Sequence, residues 1–404
     1  MCNIYISFVD REFKSLKGKR PVKYRRFGKL DWEVSALGFG VMRLPVIDGN
    51  KGNIDESEAI RMVRYAIDHG VNYLDTAYLY HEGHSESLVG RALKDGYREK
   101  VKLATKLPTR LVESAQDFDR FFNEQLERLQ VEKIDFYLLH GLNGKCWPVV
   151  RDLGVLNWAE DKMVQGKFEH LGFSFHDDYE VFKEIVHAYD NWVLAQIQYN
   201  YMDVDFQAGR RGLEYAMSRS LAVVVMEPLR GGRLSKEPPA SVARVWETAP
   251  QKRTPTEWGL LWVWNQPEVS VALSGMSTLE QVKENIATAD SSVPGKLTPE
   301  ELSVIRRARE AYNKLSPIPC TGCRYCMPCP NGVEIPQVLQ MYNEAIMYDD
   351  LQGGQLRYNN PDILKEEQRA DQCIECGECM EACPQKISVT EWLRKAHELL
   401  KLKQ

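Results

Sequence analysis

Eight of the ten cysteines in this 404-residue chain fall in its last quarter, in two runs of four. Cys2 and Cys146 stand alone. The second run is Cys373, Cys376, Cys379 and Cys383 followed by Pro384, a C-x2-C-x2-C-x3-C-P pattern. That is the bacterial spacing for a 4Fe–4S cluster: three closely spaced thiolates converge on one cubane, and the fourth turns toward a neighbouring one. The first run is Cys320, Cys323, Cys326 and Cys329 followed by Pro330, with one residue fewer before its last cysteine. Two such runs imply a crossed pair of clusters. One would use Cys320, Cys323, Cys326 and Cys383; the other would use Cys373, Cys376, Cys379 and Cys329. The competing reading is a pair of zinc sites, but zinc ribbons use two CxxC knuckles per site, not runs of four. A disulfide framework does not suit a long chain without a secretion pattern.

A second set of reactive side chains is spread more widely. Asp75 ends the apolar run Val71–Asp75, and Tyr80 follows in DTAYLY. Lys106 ends Val101–Lys106, and His140 ends Ile134–His140. Taken singly, each has a plain structural reading: a helix cap, a rim tyrosine, a solvated lysine, a packed histidine. Tyr78, His81, His84, His170 and His176 lie near them without a matching role, and Trp147 and Trp192 read as pocket or packing residues.

These positions need elements to hold them. Short apolar runs at Val34–Gly40, His170–Phe175, Leu194–Asn200, Ala222–Leu229 and Val269–Gly275 complete a series of eight, with helical periodicity between them. Eight strand–helix repeats predict a closed parallel (β/α)8 TIM barrel of about 250 residues, with its active face at the strand C-termini. No GxGxxG follows the first strand, against an open dinucleotide-binding sheet. A hairpin at Tyr24–Val34, turning at Gly28, precedes the barrel. The Pro-, Lys- and Ser-rich stretch 234–255 is placed to be a substrate lid or a surface insertion. Thr298-Pro299-Glu300-Glu301 starts a helix, which Pro317 and Pro319 end. The predicted division is an extension at 1–21, a barrel at 22–297, a connecting helix and linker at 298–316, and a small α-rich cluster domain at 317–404. In that last domain, Ile335–Met347 is expected to form a helix, packed against the barrel.

Composition sets broad limits. A hydrophobic fraction of 44% and a charged fraction of 27% fit a globular protein with a large core. Net charge is -5, and the segment 317–404 holds thirteen acidic and nine basic residues, so a general nucleic-acid binder is not expected, whereas a basic redox partner is. No apolar run is long enough to span a bilayer, and the expected location is cytoplasmic.

Together these motifs resemble the aldo-keto reductases. The joint spacing of Asp75, Tyr80, Lys106 and His140, LGFGVMRLP near the first strand, GFS after the fifth and Glu284-Asn285 near the end carry the likeness over about residues 22–295. With CTGC-x-YCMPCP and MEPLRGG, the chain resembles the iron–sulfur-containing branch, with a ferredoxin-type domain holding two 4Fe–4S clusters. The resemblance implies hydride transfer between NADP or NAD and a small carbonyl or alcohol substrate. It makes Tyr80 the general acid, its pKa lowered by Lys106 paired with Asp75, and His140 the residue orienting the carbonyl oxygen. Ser174 and Gln196 would hold the nicotinamide amide. Pro228, Leu229, Arg230 and Gly231 would wrap the pyrophosphate, with Arg230 and Arg233 available to it. Gly275, Ser277, Gln281, Glu284 and Asn285 would surround the adenosine end. Phe175 stands where many members have Asn, Met226 where many have a stacking Tyr, and Gly275 and Gln281 where NADP-specific members often carry basic residues.

Clusters move single electrons and nicotinamide moves a hydride, so the pairing of domains leaves three readings open. The barrel works as a carbonyl reductase with structural or sensing clusters. Alternatively, the clusters feed a barrel-bound cofactor such as flavin from a ferredoxin-like partner. In the third, the protein is an electron-transfer module with a vestigial barrel site.

Overall fold

The computed structural model describes residues 22–402 apart from Thr321, Cys323 and Pro384. The extension expected at 1–21 and the candidate ligand Cys323 therefore lie outside the described residues. The chain divides into two compact units. One ends at Ser235 and resumes over Thr256–Thr298; the other comprises Lys236–Pro255 and Pro299–Gln404.

A two-stranded antiparallel hairpin, β1 (Tyr24–Arg26) and β2 (Glu33–Ser35), opens the first unit. Eight parallel strands follow: β3 (Leu37–Gly40), β4 (Tyr73–Asp75), β5 (Lys102–Leu107), β6 (Ile134–Leu142), β7 (Phe168–Phe175), β8 (Leu194–Gln198), β9 (Ala222–Met226) and β10 (Val269–Gly275). They close into a barrel in the order β10-β3-β4-β5-β6-β7-β8-β9. Most strand residues are buried, as a parallel sheet covered by helices requires. Its helices are amphipathic for the same reason. In Gln116–Leu129, Phe118, Phe121, Phe122, Gln125 and Leu129 face inward.

The hairpin plugs the N-terminal end of the barrel. Phe27 is fully buried, with its ring centroid 4.9 Å from Phe136 and 5.3 Å from Trp32. The turn fits only because residue 28 is glycine. Its φ is +53°, and a Cβ there would lie 2.4 Å from the Ala222 backbone nitrogen.

In the second unit, the helix Pro299–Lys314 packs with the helix Ala240–Trp246. Arg253 pairs with the buried Glu301 at 2.6 Å, and Lys236 pairs with Asp350 at 3.0 Å. The stretch read as a lid or insertion thus belongs to the C-terminal unit, because its ionic and apolar partners are there. The helix Ile335–Met347 forms as expected, but its buried face joins a core with Ile318, Tyr358, Leu393 and Leu400 of the same unit. No helix among the described residues is long and apolar enough to cross a membrane.

Candidate active site and cluster-binding domain

The barrel register brings the predicted tetrad to one end. Asp75 closes β4 opposite Ala104, and Lys106 of β5 pairs with Leu138 of β6, two residues before His140. Lys106 is fully buried, and its ammonium donates to Asp75 Oδ1 at 2.7 Å and to the Thr76 carbonyl at 2.6 Å. The same ammonium lies 5.1 Å from the centre of the Tyr80 ring. The rings of Tyr80 and His140 meet edge-on, with centroids 5.9 Å apart. Tyr78 is turned away and donates to Glu124 at 2.6 Å.

The electrostatics follow from burial. Desolvation raises Asp75, and Lys106 opposes it. Desolvation also works against the charge on Lys106, but Asp75 and Tyr80 outweigh it and its pKa is raised. Lys106 is therefore an ammonium at neutral pH. Burial pushes the Tyr80 phenol above its ordinary value; Lys106 pulls it down only in part, so the net direction is opposite to the one expected from the pair alone. Burial, then Lys106, holds His140 well below the usual histidine range, so its ring is neutral at neutral pH.

A polar layer that sequence reasoning missed supports this group. Glu86 is fully buried and accepts from Thr105 Oγ1 and Gln125 Nε2, both at 2.6 Å. Gln125 also donates to the Lys106 carbonyl at 3.1 Å. Both residues sit on amphipathic helices, where a polar residue on the inward face was the only available sign. His81 is occupied structurally: its Nε2 accepts from Leu44 N at 3.1 Å, and its Nδ1 faces the Lys51 carbonyl at 2.8 Å.

The residues assigned to a nucleotide lie on the same unit. Ser174 and Gln196 are register partners across β7 and β8. The Gly141 N–H donates to Ser174 Oγ at 2.7 Å. Gln196 Oε1 is buried without a partner, and so is Asn285 Oδ1, whose amide donates to Ser274 Oγ at 2.9 Å. These unpaired acceptors fit the amide and hydroxyl donors of a nicotinamide nucleotide. Phe175 points into the helix layer against Phe182 at 5.2 Å. Gln281 Oε1 accepts from Ser277 N at 2.8 Å, and Ser277 Oγ donates to the Arg43 carbonyl at 2.7 Å. Pro228 and Leu229 lead into a turn with φ of +67° at Gly231 and +89° at Gly232.

Arg230 does not lie free beside this turn. Its guanidinium pairs with the buried Asp203 at 3.2 Å, and Asn200 and Gln198 donate to the same carboxylate. Arg43, from the turn after β3, lies against the same turn. A Cβ on Gly275 would lie 3.1 Å from Arg43 Cδ, and one on Gly231 would lie 3.1 Å from Arg43 Nη2. Glycine at both positions makes room for that side chain. The sequence signal was the arginine in GVMRLP, which carries no mark of its target.

In the second unit, the cysteines line two cavities, and Cys326 lines both. The first, of about 140 Å³, is lined by Cys326, Cys329, Cys373, Cys376 and Cys379. The second is lined by Cys320, Cys326 and Cys383. Asn343, on the helix Ile335–Met347, ties down the approach to the first run by bonding both the N–H and the carbonyl of Ile318, at 3.0 and 2.8 Å. Tyr358 accepts from Ala370 N at 3.0 Å just before the second run. Burial and the neighbouring Cys373, Cys376 and Cys326 push the Cys379 thiol up to about 11. No three His, Cys, Asp or Glu side chains among the described residues converge on one point for a single ion. Thiols around two cavities suit multi-iron clusters instead.

Residues 36–310 match the Aldo/keto reductase family, and residues 319–387 match a 4Fe-4S dicluster domain. The chain belongs to the aldo/keto reductase family. This aldo/keto reductase is 25% identical over 314 residues to the uncharacterized oxidoreductase YqkF of Bacillus subtilis, covering 70% of this chain and 96% of that one. It resembles the holo form of aldo-keto reductase AKR11C1 from Bacillus halodurans, with a TM-score of 0.59 and 30% identity, covering 71% of this chain and 96% of the other. It is similar to the thermostable aldo-keto reductase Tm1743 in complex with the inhibitor epalrestat, with a TM-score of 0.58 and 26% identity over 71% of this chain and 99% of that one. The reductase is thus an oxidoreductase of this family carrying a C-terminal dicluster domain.

Proposed function

We propose that the barrel reduces a small carbonyl compound, or oxidises the corresponding alcohol, with NADH or NADPH. The observation that carries this reading is the buried Lys106–Asp75 pair at 2.7 Å beneath Tyr80, with a neutral His140 against the same ring. A bound reduced nicotinamide would supply the hydride to the carbonyl carbon. The protein's part is to receive the negative charge that builds on the carbonyl oxygen. Tyr80 gives that oxygen its phenolic proton, and the Lys106 ammonium stabilises the phenolate left behind. Asp75 fixes the ammonium in place and keeps it charged. His140, as a neutral imidazole, donates a hydrogen bond that orients the oxygen. In alcohol oxidation the Tyr80 phenolate takes the proton instead.

Gln196 and Ser174 would hold the nicotinamide amide, and Arg43 with the Gly231–Gly232 turn would hold the diphosphate. Gly275, Ser277 and Gln281 carry no charge of their own, and the cation packed on Gly275 is Arg43, so both NADH and NADPH are to be tried. Glu284 and Asn285 would line that end.

The crossed cysteine sets would each hold one cluster, able to pass single electrons: Cys320, Cys323, Cys326 and Cys383 on one, and Cys329, Cys373, Cys376 and Cys379 on the other. The test is anaerobic turnover of a panel of aldehydes and ketones by cluster-loaded protein, with each nucleotide in turn. Consumption of nucleotide that depends on the carbonyl compound supports the reading. No consumption with either nucleotide, while the protein binds both, overturns it.

A further inference from the structure

Two arginines without a carboxylate partner stand at the C-terminal end of the barrel, in different loops. Arg43 follows β3 and lies over the end of β10, as described above. Arg110 lies in the short turn Thr109–Leu111 that follows β5, and it is exposed. In the barrel order, Arg43 follows β3 and Arg110 follows β5, with β4 between them. The turn of Arg110 is fastened to β6. Thr109 Oγ1 donates to the His140 carbonyl at 2.5 Å. His176, just after β7, lies over Gly141, whose Cβ would be 3.9 Å from His176 Cδ2. Gln207 stands 3.4 Å from His176 Nδ1.

From this arrangement we infer that Arg110 binds an anionic group on the substrate, a carboxylate or a phosphate, so that the preferred substrate is an anionic carbonyl compound. The inference rests on the proposed carbonyl chemistry for the position of the reacting carbon.

Three observations lead there. First, Arg110 makes no hydrogen bond or ion pair among the described residues, unlike Arg230, which Asp203 holds. A guanidinium left unpaired at the rim is available to a bidentate anion. Second, its charge reaches both His140 and His176, and no carboxylate is among the groups acting on either ring. Of the two acidic side chains that follow His176, Asp177 accepts from the N–H groups of Gly144 and Asp178, both at 2.8 Å, and Asp178 accepts from those of Glu180 and Val181. Third, Arg43, the cation assigned to the nucleotide diphosphate, packs against Gly231 and Gly275, so that assignment leaves Arg110 unused. A carbonyl held at the Tyr80–His140 pair would turn its anionic end toward Arg110.

The test compares matched substrates that differ in charge: succinic semialdehyde with butanal, and glyceraldehyde phosphate with glyceraldehyde. The wild type and Arg110→Met are assayed with both nucleotides. The expected result is a kcat/KM at least about tenfold higher for the anionic member of one pair, a preference that falls at least about tenfold in Arg110→Met and largely returns in Arg110→Lys. Which pair shows it separates carboxylate from phosphate. Calorimetric titration of the nucleotide-loaded protein with succinate, and with inorganic phosphate, reads the anion contact without turnover. Equal affinity of wild type and Arg110→Met for both anions, or an unchanged substrate preference, overturns the inference. Anion binding that weakens in the variant while no aldehyde is reduced keeps the anion site and removes the carbonyl reading.

Discussion

Lys106 and Asp75 form a fully dry ion pair, 2.7 Å apart, at the floor of the candidate site. A buried pair is costly where its remaining hydrogen-bonding capacity is not met. The Thr76 carbonyl takes a second proton of the ammonium, while Asp75 Oδ2 is buried without a hydrogen bond. Asp75→Asn leaves an uncompensated charge. It should destabilise the protein by about 3–5 kcal/mol, read from the shift in denaturant midpoint. An unchanged midpoint would show that the pair is open to water.

The pair also sets a pH limit. The folded pKa of Lys106 is raised, so its contribution is complete below the unfolded lysine value of about 10.4 and is lost as pH rises through the folded value. Stability should therefore fall in alkaline solution, and Lys106→Met should remove that part of the fall. Parallel stability–pH curves for the two proteins above that value would contradict the assignment.

The direction of catalysis should have its own pH signature. Burial raises Tyr80 and lowers His140, so a protonated phenol and a neutral imidazole coexist across neutral pH. Carbonyl reduction should be flat from about the ordinary histidine value of 6.5 up to about 10. Alcohol oxidation should rise with pH as the phenol ionises. A bell centred below pH 6.5 in the reductive direction would point to a different acid.

Arg43 should carry nucleotide affinity in place of Arg230. Arg43→Met is expected to weaken NADH and NADPH by a similar factor, about tenfold, since the diphosphate is common to both. Arg230→Met should instead act on the fold, by freeing the buried Asp203. Fluorescence titration of the reduced nucleotides and a thermal melt separate the two effects. Intact nucleotide affinity in Arg43→Met would return the diphosphate to other groups.

Cys329 and Cys373 should serve the same cluster, because they line one cavity although 44 positions apart. Cys329→Ala and Cys373→Ala should each remove the same set of EPR features, and the double variant should lose no further ones. Cys383→Ala should remove the other set. If Cys329→Ala instead removes the features lost with Cys383→Ala, ligation is not crossed.

Much of this was legible in the chain. The eight apolar runs, each buried on both faces, announced a closed parallel barrel, and Asp75, Lys106 and His140 could be placed at one end because each closes a run. The cysteine spacing carried the second domain. What stayed hidden depends on side chains meeting across the fold. Nothing near Arg230 in sequence signals that Asp203 would neutralise it, and nothing marks Arg43 as the cation that lies against Gly231. Nothing in the sequence sets Glu86 apart, yet its helix turns it inward against Thr105 and Gln125. The sign of the Tyr80 shift was equally out of reach, since a partner can be guessed from spacing but the extent of desolvation cannot. The stretch 234–255 read as a substrate lid or a surface insertion because it follows β9, whereas the partners of its Lys236 and Arg253, Asp350 and Glu301, come much later in the chain.

The central claim is that the barrel transfers hydride to a carbonyl with Tyr80 as the proton donor. The most direct test is an anaerobic stopped-flow experiment on cluster-loaded wild type and Tyr80→Phe, following the reduced nicotinamide and the cluster absorbance together after an aldehyde is added. The account predicts that nicotinamide is oxidised in step with aldehyde reduction in the wild type, and that Tyr80→Phe slows this by about 10²–10⁴ while still binding nucleotide. Equal rates in the two proteins, or nicotinamide oxidation that reduces the clusters and leaves the aldehyde untouched, would contradict it.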